Sequence, residues 1–191
     1  MNSAEQTSAA WPFPHCPGPP DWRLDWPVIE NQFDWMGGLA DCPQDPRFHA
    51  EGDVLTHTRM VCEALVGMDD WRRFEPQMRN EVFAAALMHD MAKPACTKRE
   101  ESGITSRGHA RQGAQRARCA VWELWPRESS RDFLQMRERI VWLVRHHGLP
   151  LYFFDRPDPR RALIEASQTV DLRALAILAR ADCLGRECLD Q

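Results

Sequence analysis

The chain has 191 residues, 43% hydrophobic and 27% charged, which suits one domain with a buried core. A formal net charge of −4 excludes a broad basic face for gripping duplex nucleic acid, while leaving room for a local basic pocket. No apolar run reaches membrane-spanning length, and residues 1–10 are polar without a basic start, so a cytoplasmic protein is expected. The seven cysteines are irregularly spaced and include no C-x-x-C pair. They are expected to be reduced and mostly buried as small apolar groups.

Residues 1–24, centred on WPFPHCPGPP, are too rich in proline for a helix. They predict a tail, or an extended strip laid on the surface by Trp11 and Phe13, ahead of a domain over 25–191. From Pro27, PVIENQFDWM reads as a short amphipathic helix ending at Gly37 and Gly38. Asp53 is placed to cap DVLTHTRMVCEALVG. MRNEVFAAALMHD is apolar without a break over 82–88, the mark of a helix at the centre of a domain.

A polar loop, KPACTKREESGITSRG, leads to the helix HARQGAQRARCAVWEL, closed by Pro126. Ser129 or Ser130 can cap RDFLQMRERIVWLVRHHG. A bend at LPLYFF precedes a short helix, RALIEASQTV, after Pro159. The last helix starts near Asp171 and runs to the C-terminus, where its pattern stops in mid-course, as in a module of a longer protein or equally at a natural terminus. No window alternates with a period of two, so no strands are expected. The predicted fold class is all-α, a single-domain bundle of six or seven helices.

The informative residues interrupt the apolar stripes of these helices. His57 lies on the stripe Val54, Val61, Leu65. His89 and Asp90 follow the central apolar run, His147 extends Phe133, Met136, Ile140, Val144, and Asp182 extends Leu172, Leu175, Leu178. An ionised carboxylate buried without a partner costs several kcal/mol. Two aspartates and three histidines facing inward from different helices share one simple explanation, a divalent cation among them.

The order His57, His89-Asp90, Asp182 resembles the H…HD…D signature of the HD superfamily of metal-dependent phosphohydrolases. HAEGDVLTHTRMV resembles the segment around the first histidine of that family, and AALMHDMAKP its A-x-x-H-D-x-x-K-P. RGHARQGA is similar to the G-H-x-x-x-G that follows, while LVRHHGLP and ARADCLGR resemble the late His and Asp segments. Within the superfamily the likeness is to the modules of bacterial RNA end-healing enzymes, where they precede a polynucleotide kinase domain, and of tRNA nucleotidyltransferases. The chain has neither a G-x-x-x-x-G-K-[ST] loop nor a nucleotidyltransferase head, so a kinase domain or partner is expected elsewhere.

The resemblance implies an HD-type helical bundle holding one or two divalent transition-metal ions: manganese, nickel, cobalt, iron or zinc. His57, His89, Asp90 and Asp182 are then ligands of the first. Asp90 bridges to a second completed by His109 and by His147, which the stripe favours, or His146. Lys93 is expected beside Asp90 to steady a phosphate oxygen, with one or two of Arg107, Arg116, Arg145 and Arg180 as further phosphate contacts among a wider scatter of arginines. Water activated by the metal would cleave a phosphate ester, with an RNA 2′,3′-cyclic phosphate or terminal phosphate as the expected substrate. A small-nucleotide phosphohydrolase and a non-catalytic metal-binding regulatory domain are the alternatives. The eight tryptophans are expected in the core and at helix contacts rather than as a base-stacking platform.

Overall fold

A computed structural model describes residues 11–188 and is mainly helical. Nine α-helices are found among the described residues. They are α1 (Trp26–Gln32), α2 (Val54–Gly67), α3 (Asp69–Arg72), α4 (Pro76–Met88), α5 (Lys93–Cys96), α6 (His109–Leu124), α7 (Arg131–His146), α8 (Pro159–Ser167) and α9 (Leu172–Leu184). A 3-10 helix covers Asp34–Leu39, and β1 (Lys98–Glu100) pairs antiparallel with β2 (Gly103–Thr105).

Several helix starts follow from local chemistry. Asp53 accepts from Thr56 N at 2.7 Å, Ser130 from Phe133 N at 3.2 Å, and Asp171 from Arg173 N and Ala174 N, so each satisfies amide donors that the first turn leaves free. The central apolar run does what its pattern predicts: α4 packs against α2, α7 and α9, and residues 81–88 are all buried. α6 lies along α7, and α2 along α9.

The structure corrects the sequence reading in several places. The helix count is nine rather than six or seven, because α3 and α5 are four-residue turns too short to show a period. The expected first helix is split at Phe33, whose extended backbone separates α1 from the 3-10 turn. The polar loop contains the hairpin, unexpected because its strands have three residues each and neither alternates in burial. The last helix stops at Leu184 instead of running to the C-terminus.

Of the proline-rich segment, residues 1–10 lie outside the described residues. Over 11–24 it is laid on the bundle: Trp11 N donates to Gln77 Oε1 and Phe13 N to Asn80 Oδ1, both at 2.7 Å, and Phe13 is buried beside Phe33 and Phe83. All seven cysteines are free, with Cys42, Cys62 and Cys96 buried. Cys119 and Cys183 are exposed, contrary to expectation. Among the described residues no helix is long and apolar enough to cross a membrane.

The end of α9 is fixed by close approach. A Cβ on Gly185 would sit 2.6 Å from Val61 N and 2.7 Å from Val61 Cα, atoms of α2 that cannot yield without moving the helix. The Gly185 carbonyl also lies 3.2 Å from His57 Nδ1. Gly185→Ala is therefore expected to destabilise the protein by about 1–3 kcal/mol, read by urea denaturation. Gly113→Ala serves as the control, since its Cβ would meet Val144 and the His89 carbonyl at ordinary distances of 3.4 and 3.5 Å.

Candidate metal centre

Five helices deliver side chains to one place. His57 comes from the first turns of α2, and His89 is the residue at which α4 ends, with Asp90 immediately after it. His109 opens α6, His147 closes α7, and Asp182 projects from α9. All are buried except His109, which is partly exposed; its placement uses Gly108 at φ 82, a left-handed backbone that glycine takes without strain.

The side chains form two facing sets around Asp90. On one side, His57 Nε2 and His89 Nε2 are 3.3 Å apart; Asp90 Oδ2 lies 3.1 Å from His89 Nε2 and 3.6 Å from His57 Nε2, and Asp182 Oδ1 is 3.3 Å from His57 Nε2. On the other, His109 Nε2 and His147 Nε2 are 3.2 Å apart, with Asp90 Oδ1 at 3.3 and 3.9 Å. Either set could hold a metal ion.

The opposite nitrogens decide what these sets are for. His89 Nδ1 lies 2.7 Å from Ala86 O, His147 Nδ1 2.7 Å from Val144 O, and His109 Nδ1 2.8 Å from Ser106 O. A carbonyl only accepts, so each Nδ1 carries a proton and each ring turns its Nε2 inward. His57 Nδ1 likewise faces two acceptors, Gly185 O and, at 2.9 Å, Glu51 Oε1. Between His109 and His147 lone pairs thus meet each other and Asp90 Oδ1, while the buried atoms Asp90 Oδ1 and Asp182 Oδ2 have no hydrogen-bond partner. Such an arrangement is repulsive until cations enter it, so the donor set fits divalent metal.

The electrostatics agree. Burial opposes ionisation of Asp90, yet His89 and Lys93 hold its carboxyl well below the usual range. Burial likewise acts against Asp182, but the hydrogen bond to His57 and the charges of His89 and Arg186 hold it low. Burial lowers His57, and its bonds to Asp182 and Glu51 more than reverse that, so its pKa is raised: a proton takes the cation's place. Burial pushes His147 down to about 3, and also lowers His109, His49 and His146.

The sign of the pH effect follows. A histidine kept neutral in the fold but free to protonate when unfolded loses stability as pH falls from 6.5 toward 3. His57, with a raised pKa, contributes in the opposite sense: its stabilisation is present below 6.5 and lost as pH rises through its folded value. Four histidines are lowered against one raised, so chelated protein should lose stability between pH 7 and pH 5, with His147 alone costing roughly 2 kcal/mol at pH 5. Denaturant titrations at the two pH values measure this; equal stability would contradict it.

Among the other residues expected from the sequence, Lys93 is brought to the site, with Nζ 2.7 Å from Asp90 Oδ2 and donating to Gln44 Oε1 at 2.6 Å. Arg107 reaches the wall of the adjoining cavity, where it pairs with Glu100 at 3.3 Å. His146 does not join: its ring stacks on Trp142, 17° from parallel, and its Nε2 is 3.4 Å from Thr169 Oγ1. Arg116 lies in a separate groove beside Trp35 and Met91. Arg145 is exposed away from the cavity, and exposed Arg180 faces Asp70 at 3.6 Å. These four placements correct the sequence assignment, because periodicity gives a residue's place on a helix but tertiary packing sets where its side chain reaches.

Three supporting groups were missed. Glu51 Oε1 receives both His49 Nδ1, at 2.8 Å, and His57 Nδ1, a carboxylate that fixes the ring as a second layer around a metal site would. Gln44 holds Lys93. Arg186, counted only among scattered arginines, binds Asp182 Oδ1 through Nε and Nη2 at 2.9 and 2.7 Å. The H-x-E-x-D-x-x-x-H run was visible, but nothing in it said that the glutamate turns back onto the second histidine. The centre opens into a cavity of about 320 Å³ lined also by Lys93, Arg107, Arg186, Phe48 and Tyr152. No family model, curated protein or solved structure matches the chain.

Proposed function

We propose that the protein is a divalent-metal-dependent phosphoesterase of the HD type. In this reading it hydrolyses RNA 2′,3′-cyclic phosphate or terminal phosphate ends, or the corresponding small nucleotides. The observation that carries the reading is the pair of inward-facing imidazole sets sharing Asp90 at the floor of an open cavity with cationic walls. His57, His89, Asp90 and Asp182 would hold one ion, and Asp90, His109 and His147 a second.

Ions bound there supply a water acidic enough to attack near neutral pH and neutralise phosphoryl oxygens. The remaining work falls to the chain. Glu51 and the carbonyls behind His89, His109 and His147 lock the imidazoles in the ligating tautomer. Lys93 spends two of its three N–H groups on Asp90 and Gln44, leaving one for a phosphoryl or leaving oxygen. Arg107, at the cavity wall, adds a planar donor suited to phosphate.

Purified protein loaded with manganese, nickel, cobalt, iron or zinc should turn over at least one member of a panel of 2′,3′-cyclic nucleotides, nucleoside monophosphates and 3′-phosphorylated oligonucleotides. Lys93→Met should keep its metal content and lose turnover by about 10²–10³-fold. Stoichiometric metal with no hydrolysis of any ester would leave a binding domain, not an enzyme.

A further inference from the structure

Among the large apolar side chains exposed in the described residues, two aromatic ones, Phe48 and Tyr152, line the metal-centre cavity. They come from separate stretches: Phe48 precedes His49 in the loop before α2, and Tyr152 follows α7 and His147. Each is more than half exposed, 55% and 56%, so neither is held there by core packing. The Arg47 guanidinium lies 5.6 Å from the Phe48 ring centroid. Phe154 is more exposed still, at 90%, but does not line the cavity.

An aromatic face left in solvent beside cationic groups is the usual chemistry for a ligand with an anionic end and a flat end. A cavity of about 320 Å³ is at the small end of ligand sites, room for one such unit rather than a strand. Tyr152 shares the cavity lining with Arg186, which binds Asp182.

We propose that Phe48 and Tyr152 form a base-binding wall, so that the cavity takes a single nucleoside phosphate with its phosphate toward Asp90 and its base against these rings. This rests on the phosphoester reading of the centre and adds the residues that meet the base and the number of nucleotide units the cavity takes. A free nucleotide and the terminal nucleotide of an RNA strand present the same chemistry.

The test is calorimetric titration of the manganese-loaded chain with a nucleoside 3′-monophosphate, with base-free ribose phosphate, and with a short oligonucleotide ending in a 3′-phosphate. The nucleotide should bind about 5- to 150-fold more tightly than ribose phosphate. In Phe48→Ala and Tyr152→Ala that preference should collapse toward one, and Phe48→Trp should retain it. Tighter binding of the oligonucleotide than of the mononucleotide assigns the wall to a strand end; equal or weaker binding assigns it to a free nucleotide. Equal wild-type affinity for nucleotide and ribose phosphate overturns the proposal, as does an unchanged preference in both alanine variants. Preference without turnover of any ester keeps the base wall and removes the enzymatic reading, so the two failures are distinguishable.

Discussion

Asp90→Asn is expected to empty both halves of the centre at once. Asp90 sends Oδ2 toward His57 and His89 and Oδ1 toward His109 and His147, so among the described residues it is the one side chain with an oxygen in each set. An amide there presents one neutral acceptor and, on the other side, N–H donors that repel a cation. Metal analysis should show well under one ion per chain, and ester hydrolysis should fall by more than the roughly 100-fold that loss of a supporting residue costs. The helical signal should survive at low temperature, because the core packed around α4 is apolar and untouched. His109→Ala, which removes a ligand from one side, should retain about one ion. Full metal content in Asp90→Asn would exclude the shared-carboxylate arrangement.

Chelation should cost thermal stability. With no cation, the buried oxygens Asp90 Oδ1 and Asp182 Oδ2 have no hydrogen-bond partner, and the imidazole lone pairs of His109 and His147 face each other at 3.2 Å. Metal that binds the folded chain at about 100 times its dissociation constant stabilises by about 2.7 kcal/mol. For a chain of this size that corresponds to roughly 5–11 °C in Tm. Differential scanning calorimetry with and without chelator should show a fall of that order, reversed by added manganese and absent in Asp90→Asn. An unchanged or higher Tm on chelation would mean that the imidazoles and carboxylates are already satisfied by protons.

Much of the centre was legible because burial is expensive for charge. His57, His89, Asp90, His147 and Asp182 each interrupt an apolar stripe, and all five are buried within reach of one another. His109 carried no such mark, since the first residue of a helix after glycine is an ordinary surface position; only the resemblance pointed to it. Glu51, His49 and Gln44 lie in a loop whose path depends on contacts far away in sequence, such as Ala50 N to Glu187 O at 2.7 Å. Periodicity carries no information about such a path.

The arginines failed for a related reason. Arg116 shares a helix with His109, yet its side chain faces another groove, while Arg186, four residues beyond Asp182, folds back onto it. The tryptophans were expected in the core and at helix contacts, and Trp71 and Trp11 pack there. The aromatic side chains at the cavity are Phe48 and Tyr152, both in loops. Helix bounds were legible where a cap exists, as at Asp53, Ser130 and Asp171, and not where a single turn or a three-residue strand leaves no period to read.

The most direct measurement is anomalous diffraction from crystals of the full chain grown with manganese, recorded at the metal's absorption edge. Two peaks flanking the Asp90 carboxylate, one against His57 and His89 and the other against His109 and His147, are the predicted result. No anomalous density among these side chains, with their imidazoles turned outward, would contradict a metal centre in this fold.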